Sequence, residues 1–152
     1  MTNFDFLKSD PQFDTFADSA INAERIFHID PKIAAASCRT AMENAIKWMY
    51  TIDSDLKMPY ADSLSCLMST EEFRGIVDKD ILTRLTYIRK NGNLATHESK
   101  QISAEQAALC IENLFIFMDF IDYCYGTNYT EHKFDKSRLI PLKEAVIVDK
   151  SE

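Results

Sequence analysis

Glycine is nearly missing from this chain. Three glycines and four prolines in 152 residues leave little turn material, which argues against a sheet of many short strands. The four cysteines, Cys38, Cys66, Cys110 and Cys124, include no C-x-x-C pair. The paired spacing that zinc needs is lacking, so no metal site is expected. Each cysteine lies in an apolar, helix-like setting and reads as a reduced, buried small hydrophobe. Long apolar runs are lacking as well. The stretch Leu114 to Tyr125 carries Asp119 and Asp122, and at about twelve residues it is too short and too charged to span a bilayer. The start Met-Thr-Asn-Phe-Asp has neither the basic n-region nor the apolar h-region of a secretory signal. A cytoplasmic protein with no membrane partner is expected. Basic charge is in deficit, with 17 Lys and Arg against 24 Asp and Glu and a net charge of −7. This argues against binding duplex DNA over the whole surface, which draws mostly on phosphate neutralisation. A local basic site is still allowed.

What is present points to helices. With 46% hydrophobic and 11% aromatic residues, the chain can build one genuine core and is not disordered. A short apolar lead-in, Phe4, Phe6 and Leu7, should dock on that core. Asp10-Pro11 and Asp30-Pro31 both read as a cap followed by proline at the first helical position. The first pair opens a helix with the stripe Phe13, Phe16, Ala17, Ala20 and Ile21, and the second opens an alanine-rich helix over 31–50. A short helix near 61–68 and a segment capped by Thr70 follow. Asp78 caps a helix through Ile81, Leu85 and Ile88 that should end near Asn91-Gly92. Ser103-Ala-Glu-Gln106 fits a capping box before a long apolar helix that Gly126 ends. Its wide apolar arc suits the bundle centre or a dimer interface. Asp119 and Asp122 could form a paired-carboxylate site, but Glu105, Glu112 and Asp119 recur every seven residues and a solvated acidic strip is expected instead. The fold expected is all-α, a single bundle of five to six helices over residues 1–126. Residues 127–152 lose the periodicity and read as an irregular tail or a linker toward a downstream domain. No internal repeat is evident.

The polar residues concentrate in Tyr87-Ile-Arg-Lys-Asn-Gly-Asn-Leu-Ala-Thr-His97. Arg84, Arg89, Lys90, His97 and Lys100 fall within seventeen residues, and no acid lies among them before Glu98. Arg89, Asn93 and His97 are each four apart. On an unbroken helix Arg89 and His97 would be rotated by ~80° and separated by ~12 Å along the axis, too far to share one phosphate oxygen. A helix break at Gly92, in the left-handed conformation, would fold His97 back toward Arg89. A guanidinium would then grip a phosphate while an imidazole moves a proton. Cleavage of RNA needs both an acid and a base, so one histidine per chain implies a symmetric homodimer with facing sites. The bland alternative makes Arg89 and Lys90 the cations of a helix C-terminus, Asn91-Gly92-Asn93 a turn and His97 a packing residue. Arg39, Glu43 and Lys47 also fall four apart; as a surface ladder they would contribute about 0.3–0.5 kcal/mol per pair. His28 and His132 lack comparable sequence neighbours.

At Arg89-Lys-Asn-Gly-Asn-Leu-Ala-Thr-His97 the chain resembles the HEPN-like domain of unknown function found at the N-terminus of type I restriction enzyme R (restriction/helicase) subunits. The resemblance continues through Phe4-Asp-Phe-Leu7, Cys38-Arg-Thr-Ala-Met-Glu43, Lys47-Trp48-Met-Tyr50, Leu56-Lys-Met-Pro-Tyr60, Glu72-Phe-Arg74, Cys124-Tyr-Gly126, Phe134-Asp and Ile140-Pro141. It implies a helical bundle serving DNA restriction or another defence, with nuclease and ATP-driven translocase domains after the tail. Other domains or subunits of a restriction complex would be its partners, and no cofactor is expected in this domain. HEPN ribonucleases carry an arginine and a histidine separated by four to six residues, often with a glutamate-x3-lysine pair on another helix. Glu43 and Lys47 match the second pattern, whereas seven residues separate Arg89 from His97. The resemblance therefore implies an accessory module that docks nucleic acid or dimerises, with phosphate contacts from Arg89, Lys90, Asn93, His97, Glu43 and Lys47. The alternative is a metal-independent endoribonuclease in which His97 and Arg89 are catalytic and Asn93 orients.

Overall fold

Side chains start the helices where the sequence places its caps. The computed structural model describes residues 1–97 and 101–139. Its helices are α1 (Asp14–Phe27), α2 (Pro31–Ile52), α3 (Leu64–Ser69), α4 (Glu71–Ile76), α5 (Lys79–His97) and α6 (Ala104–Tyr125). The Asp30 carboxylate accepts the Lys32 and Ile33 amides at 3.0 and 3.3 Å at the head of α2. Thr70 accepts from the Phe73 amide at 3.1 Å before α4, and Asp78 from the Ile81 amide at 2.8 Å before α5. Ser103 and Gln106 exchange hydrogen bonds of 3.0 and 2.9 Å, the reciprocal capping box. Asp10-Pro11 differs: it opens a 3-10 turn over Pro11–Phe13, and α1 begins at Asp14. The lead-in is another 3-10 turn, Asp5–Ser9, with Phe4 and Leu7 fully buried.

No strand occurs among the described residues, and the chain is an all-α bundle. α2 and α6 each pack on the other three long helices. Ala34, Cys38, Ala41 and Ala45 are completely buried on α2, and their small side chains allow close helix approach. An aromatic cluster closes one end of the bundle. Trp48 meets Phe13, Phe16 and Tyr125 edge-on at 5.5, 5.5 and 5.6 Å. Tyr50 donates to the Leu67 carbonyl at 2.6 Å and meets Thr70 at 2.7 Å. The short helices α3 and α4 are thereby held at the C-terminal end of α2. α5 starts from that end and returns antiparallel to α2.

Four expectations need correction. α5 does not stop at Asn91-Gly92 but runs unbroken through them to His97. Asp122 is not part of a solvated strip: it is buried, and His132 meets its Oδ2 at 2.8 Å. His132 thus has neighbours that sequence distance concealed, since its ring also stacks on Phe6 at 3.8 Å. Only Cys38 and Cys110 are buried, whereas Cys66 is half-buried and Cys124 exposed.

Residues 127–135 are irregular, yet they pack on the bundle. Phe134 lies against Phe115 at 5.2 Å, the Asp135 amide donates to Asn3 Oδ1 at 2.7 Å, and the Arg138 carbonyl meets His28 Nε2 at 2.9 Å. The predicted basic Lys100 and the apolar residues Ile140, Leu142 and Val146-Ile-Val148 lie outside the described residues.

Candidate nucleic-acid interface on α2 and α5

Gly92 explains why α5 continues where turn chemistry was expected. A Cβ at this position would collide with Arg39 Cβ and lie 2.8 Å from Arg39 Cδ. The glycine therefore serves close approach of two helices and not a left-handed turn. Its flanks are satisfied as helix too. Asn91 is buried and donates to the Tyr87 carbonyl at 2.9 Å, while its Oδ1 accepts from Gln106 of the capping box at 3.3 Å. Thr96 donates back to the Gly92 carbonyl at 2.9 Å.

An unbroken α5 spreads the predicted site along one flank. Relative to Arg89, Asn93 is rotated by about 40° and His97 by about 80°, at axial separations of about 6 and 12 Å. Arg89 and Asn93 are half-buried, whereas Lys90 and His97 are exposed. The structure does not fold His97 back onto Arg89. The basic cluster also divides. Arg84 is held by Asp80 at 2.9 Å and donates to Asn113 of α6 at 2.9 Å, so it faces away from Arg89.

α2 supplies the second row. Glu43 Oε1 accepts from Arg39 Nη1 at 3.2 Å, and Glu43 Oε2 holds Lys47 Nζ at 2.9 Å. Because α2 and α5 are antiparallel and Arg39 sits against Gly92, one turn onward along α2 is level with one turn back along α5. That register sets Glu43 level with Ile88 and Arg89. Glu43 thus pairs with both neighbours as an i,i+4 ladder on α2, beside the α5 strip. Sequence spacing shows Arg39 only as a rung of that ladder; its packing against Gly92 of α5 is visible only in the structure. The Arg39 Nε is buried without a hydrogen-bond partner, and the guanidinium is held through Nη1 by Glu43. Arg39 also borders a cleft of about 410 Å³ shared with Ser19, Asn22, Ser37, Thr40 and Thr96. No group of three His, Cys, Asp or Glu side chains among the described residues could hold a metal ion. No described helix is long and apolar enough to cross a membrane.

Helical architecture and an exposed polar strip define a small all-α domain, and the comparisons place it more narrowly. The model of the family described as Domain of unknown function (DUF4145) matches residues 22–141, and the chain belongs to that family. No curated protein matches it, and no solved structure does. The match includes both helices of the candidate interface and leaves its activity open.

Proposed function

We propose that this domain is a non-catalytic, nucleic-acid-docking module at the N-terminus of a type I restriction enzyme R subunit or a related helicase. The resemblance quoted for Arg89 to His97 supplies the setting. One observation carries the docking role: α5 is continuous through Gly92, so Arg89, Asn93 and His97 form a strip and not a single acid–base centre. A strip about 12 Å long suits successive contacts along a polynucleotide backbone. Lys90 adds an exposed cation, and Glu43 with Lys47 orders the neighbouring row. Contacts of this kind position a nucleic acid without reading its sequence.

The endoribonuclease reading is favoured by one feature, the Glu43–Lys47 pair level with Arg89. It requires a symmetric homodimer in which the two His97 side chains divide the acid and base roles.

Labelled single-stranded RNA and DNA, incubated with the domain in chelator, decide between them. Retention of both strands intact, with affinity that falls steeply with salt, supports docking. Cleavage that disappears in His97→Ala establishes the ribonuclease instead, and absence of binding at low salt overturns both.

A further inference from the structure

We propose that Arg74 and Arg89 clamp one phosphate group in the cleft between α3, α4 and α5. The inference rests on the docking reading for its source of phosphate. It gives Arg89 a partner across the helices in place of His97.

Both arginines line a cleft of about 100 Å³, together with Ser65, Ser69 and Thr86. Arg39, Arg84 and Arg138 each hold a carboxylate within 3.5 Å. Among the described residues, Arg25, Arg74 and Arg89 hold none, and of these only Arg74 and Arg89 share a cleft. No acid lines the cleft either. Two guanidiniums around one small space repel each other, and an anion between them removes that cost. Guanidinium forks suit phosphate oxygens, which they grip with paired N–H donors.

The hydroxyls sharpen the chemistry. Ser69 donates to the Ser65 carbonyl at 2.6 Å and Thr86 to the Leu82 carbonyl at 2.9 Å, so both protons are committed. Ser65 Oγ makes no such bond among the described residues and supplies a third donor. Size selects the ligand. Sites for drug-sized molecules run to about 300–1,000 Å³, well above the ~100 Å³ of this cleft. A phosphate enters, while the sugar and base stay outside. The clamp thus takes a backbone phosphodiester of any sequence.

The test uses fluorescence anisotropy with a labelled single-stranded oligonucleotide, and thermal melting of the unlabelled domain with inorganic phosphate. Circular dichroism confirms that each variant is folded. Arg74→Ala is expected to weaken oligonucleotide binding about tenfold, as Arg89→Ala does, and to lower the salt slope by about one. Arg74→Lys keeps the charge without the fork and should fall between wild type and Arg74→Ala. The double Ala variant should lose less than the product of the single losses, because both side chains hold one phosphate. Wild-type affinity in Arg74→Ala beside impaired Arg89→Ala overturns the clamp and leaves the docking reading standing. If no oligonucleotide binds but phosphate raises the melting temperature of wild type and not of Arg74→Ala, the clamp stands for free phosphate and the docking reading fails. No response to either ligand overturns the clamp.

Discussion

Gly92 of α5 sits directly against the aliphatic stem of Arg39 of α2, so closely that a Cβ would fall on Arg39 Cβ. This contact orders much of the candidate interface. It marks the register of the two helices, which brings the Arg39–Glu43–Lys47 row level with Arg89. A glycine inside a helix costs about 1 kcal/mol relative to alanine, and here close packing offsets that cost.

Gly92→Ala should therefore destabilise the domain despite alanine's better helix propensity. The added methyl meets Arg39 near its backbone, where the side chain cannot swing aside. Overpacking of this kind typically costs about 1–3 kcal/mol, against about 1 kcal/mol of propensity gained. Urea denaturation is expected to show a net loss. A more stable Gly92→Ala would mean that the helices do not approach this closely.

The segment after α6 should belong to the folding unit. His132, Phe134, Asp135 and Arg138 reach Asp122, Phe115, Asn3 and His28, and the single backbone N–H of Asn3 is shared between both oxygens of the buried Glu24 carboxylate at 3.0 and 3.1 Å. His132→Ala leaves the Asp122 carboxylate buried without that partner, which should cost about 1–3 kcal/mol. A chain ending at Gly126 loses all four contacts and should melt earlier still. Equal melting temperatures for that chain and the longer one would show the segment to be a passive linker.

These findings mark how far the sequence could be read. Helix starts were legible because caps act locally: Asp30-Pro31, Thr70, Asp78 and Ser103-Gln106 all form as their side chains dictate. The end of α5 was not legible, because Asn-Gly-Asn is turn chemistry in isolation and the contacts that suit it to a helix, Arg39 against Gly92 and Gln106 on Asn91, come from other helices. Asp122 looked solvated for the same kind of reason. It is buried and paired with His132, ten residues away and beyond the helix end. At the site, the residue types were visible in sequence, whereas Arg74 entered only through tertiary structure.

Alkaline pH should destabilise the fold. Burial pushes the Cys110 thiol up to about 12 and raises Cys38 well above the ordinary thiol range. Burial, and then its hydrogen bond to Asp53 at 2.6 Å, raises the Tyr125 phenol. The unfolded chain releases these protons at about pH 8.5–10, where the folded chain keeps them. The unfolded state then binds fewer protons, so stability falls with rising pH. Urea midpoints should be flat up to about pH 8 and decline from about pH 9. Tyr125→Phe should shallow that decline while costing about 1 kcal/mol at pH 7, since Asp53 loses a donor. An unchanged midpoint at pH 11 would contradict the burial of these groups.

The geometry of α5 makes a final, quantitative demand on Arg89 and His97. Residues about 12 Å apart on one rigid helix meet different parts of a bound strand. Substitutions separated by more than about 7–10 Å without shared partners add within roughly 0.3–0.5 kcal/mol, whereas groups on one ligand atom couple by about 0.5–3 kcal/mol. A double-mutant cycle of Arg89→Ala and His97→Ala, read as oligonucleotide affinity at fixed salt, should therefore be additive. The cycle of Arg74→Ala with Arg89→Ala should not. Strong coupling between Arg89 and His97 would require the two to converge on one phosphate, as a break at Gly92 would allow, and would restore the acid–base reading of the site.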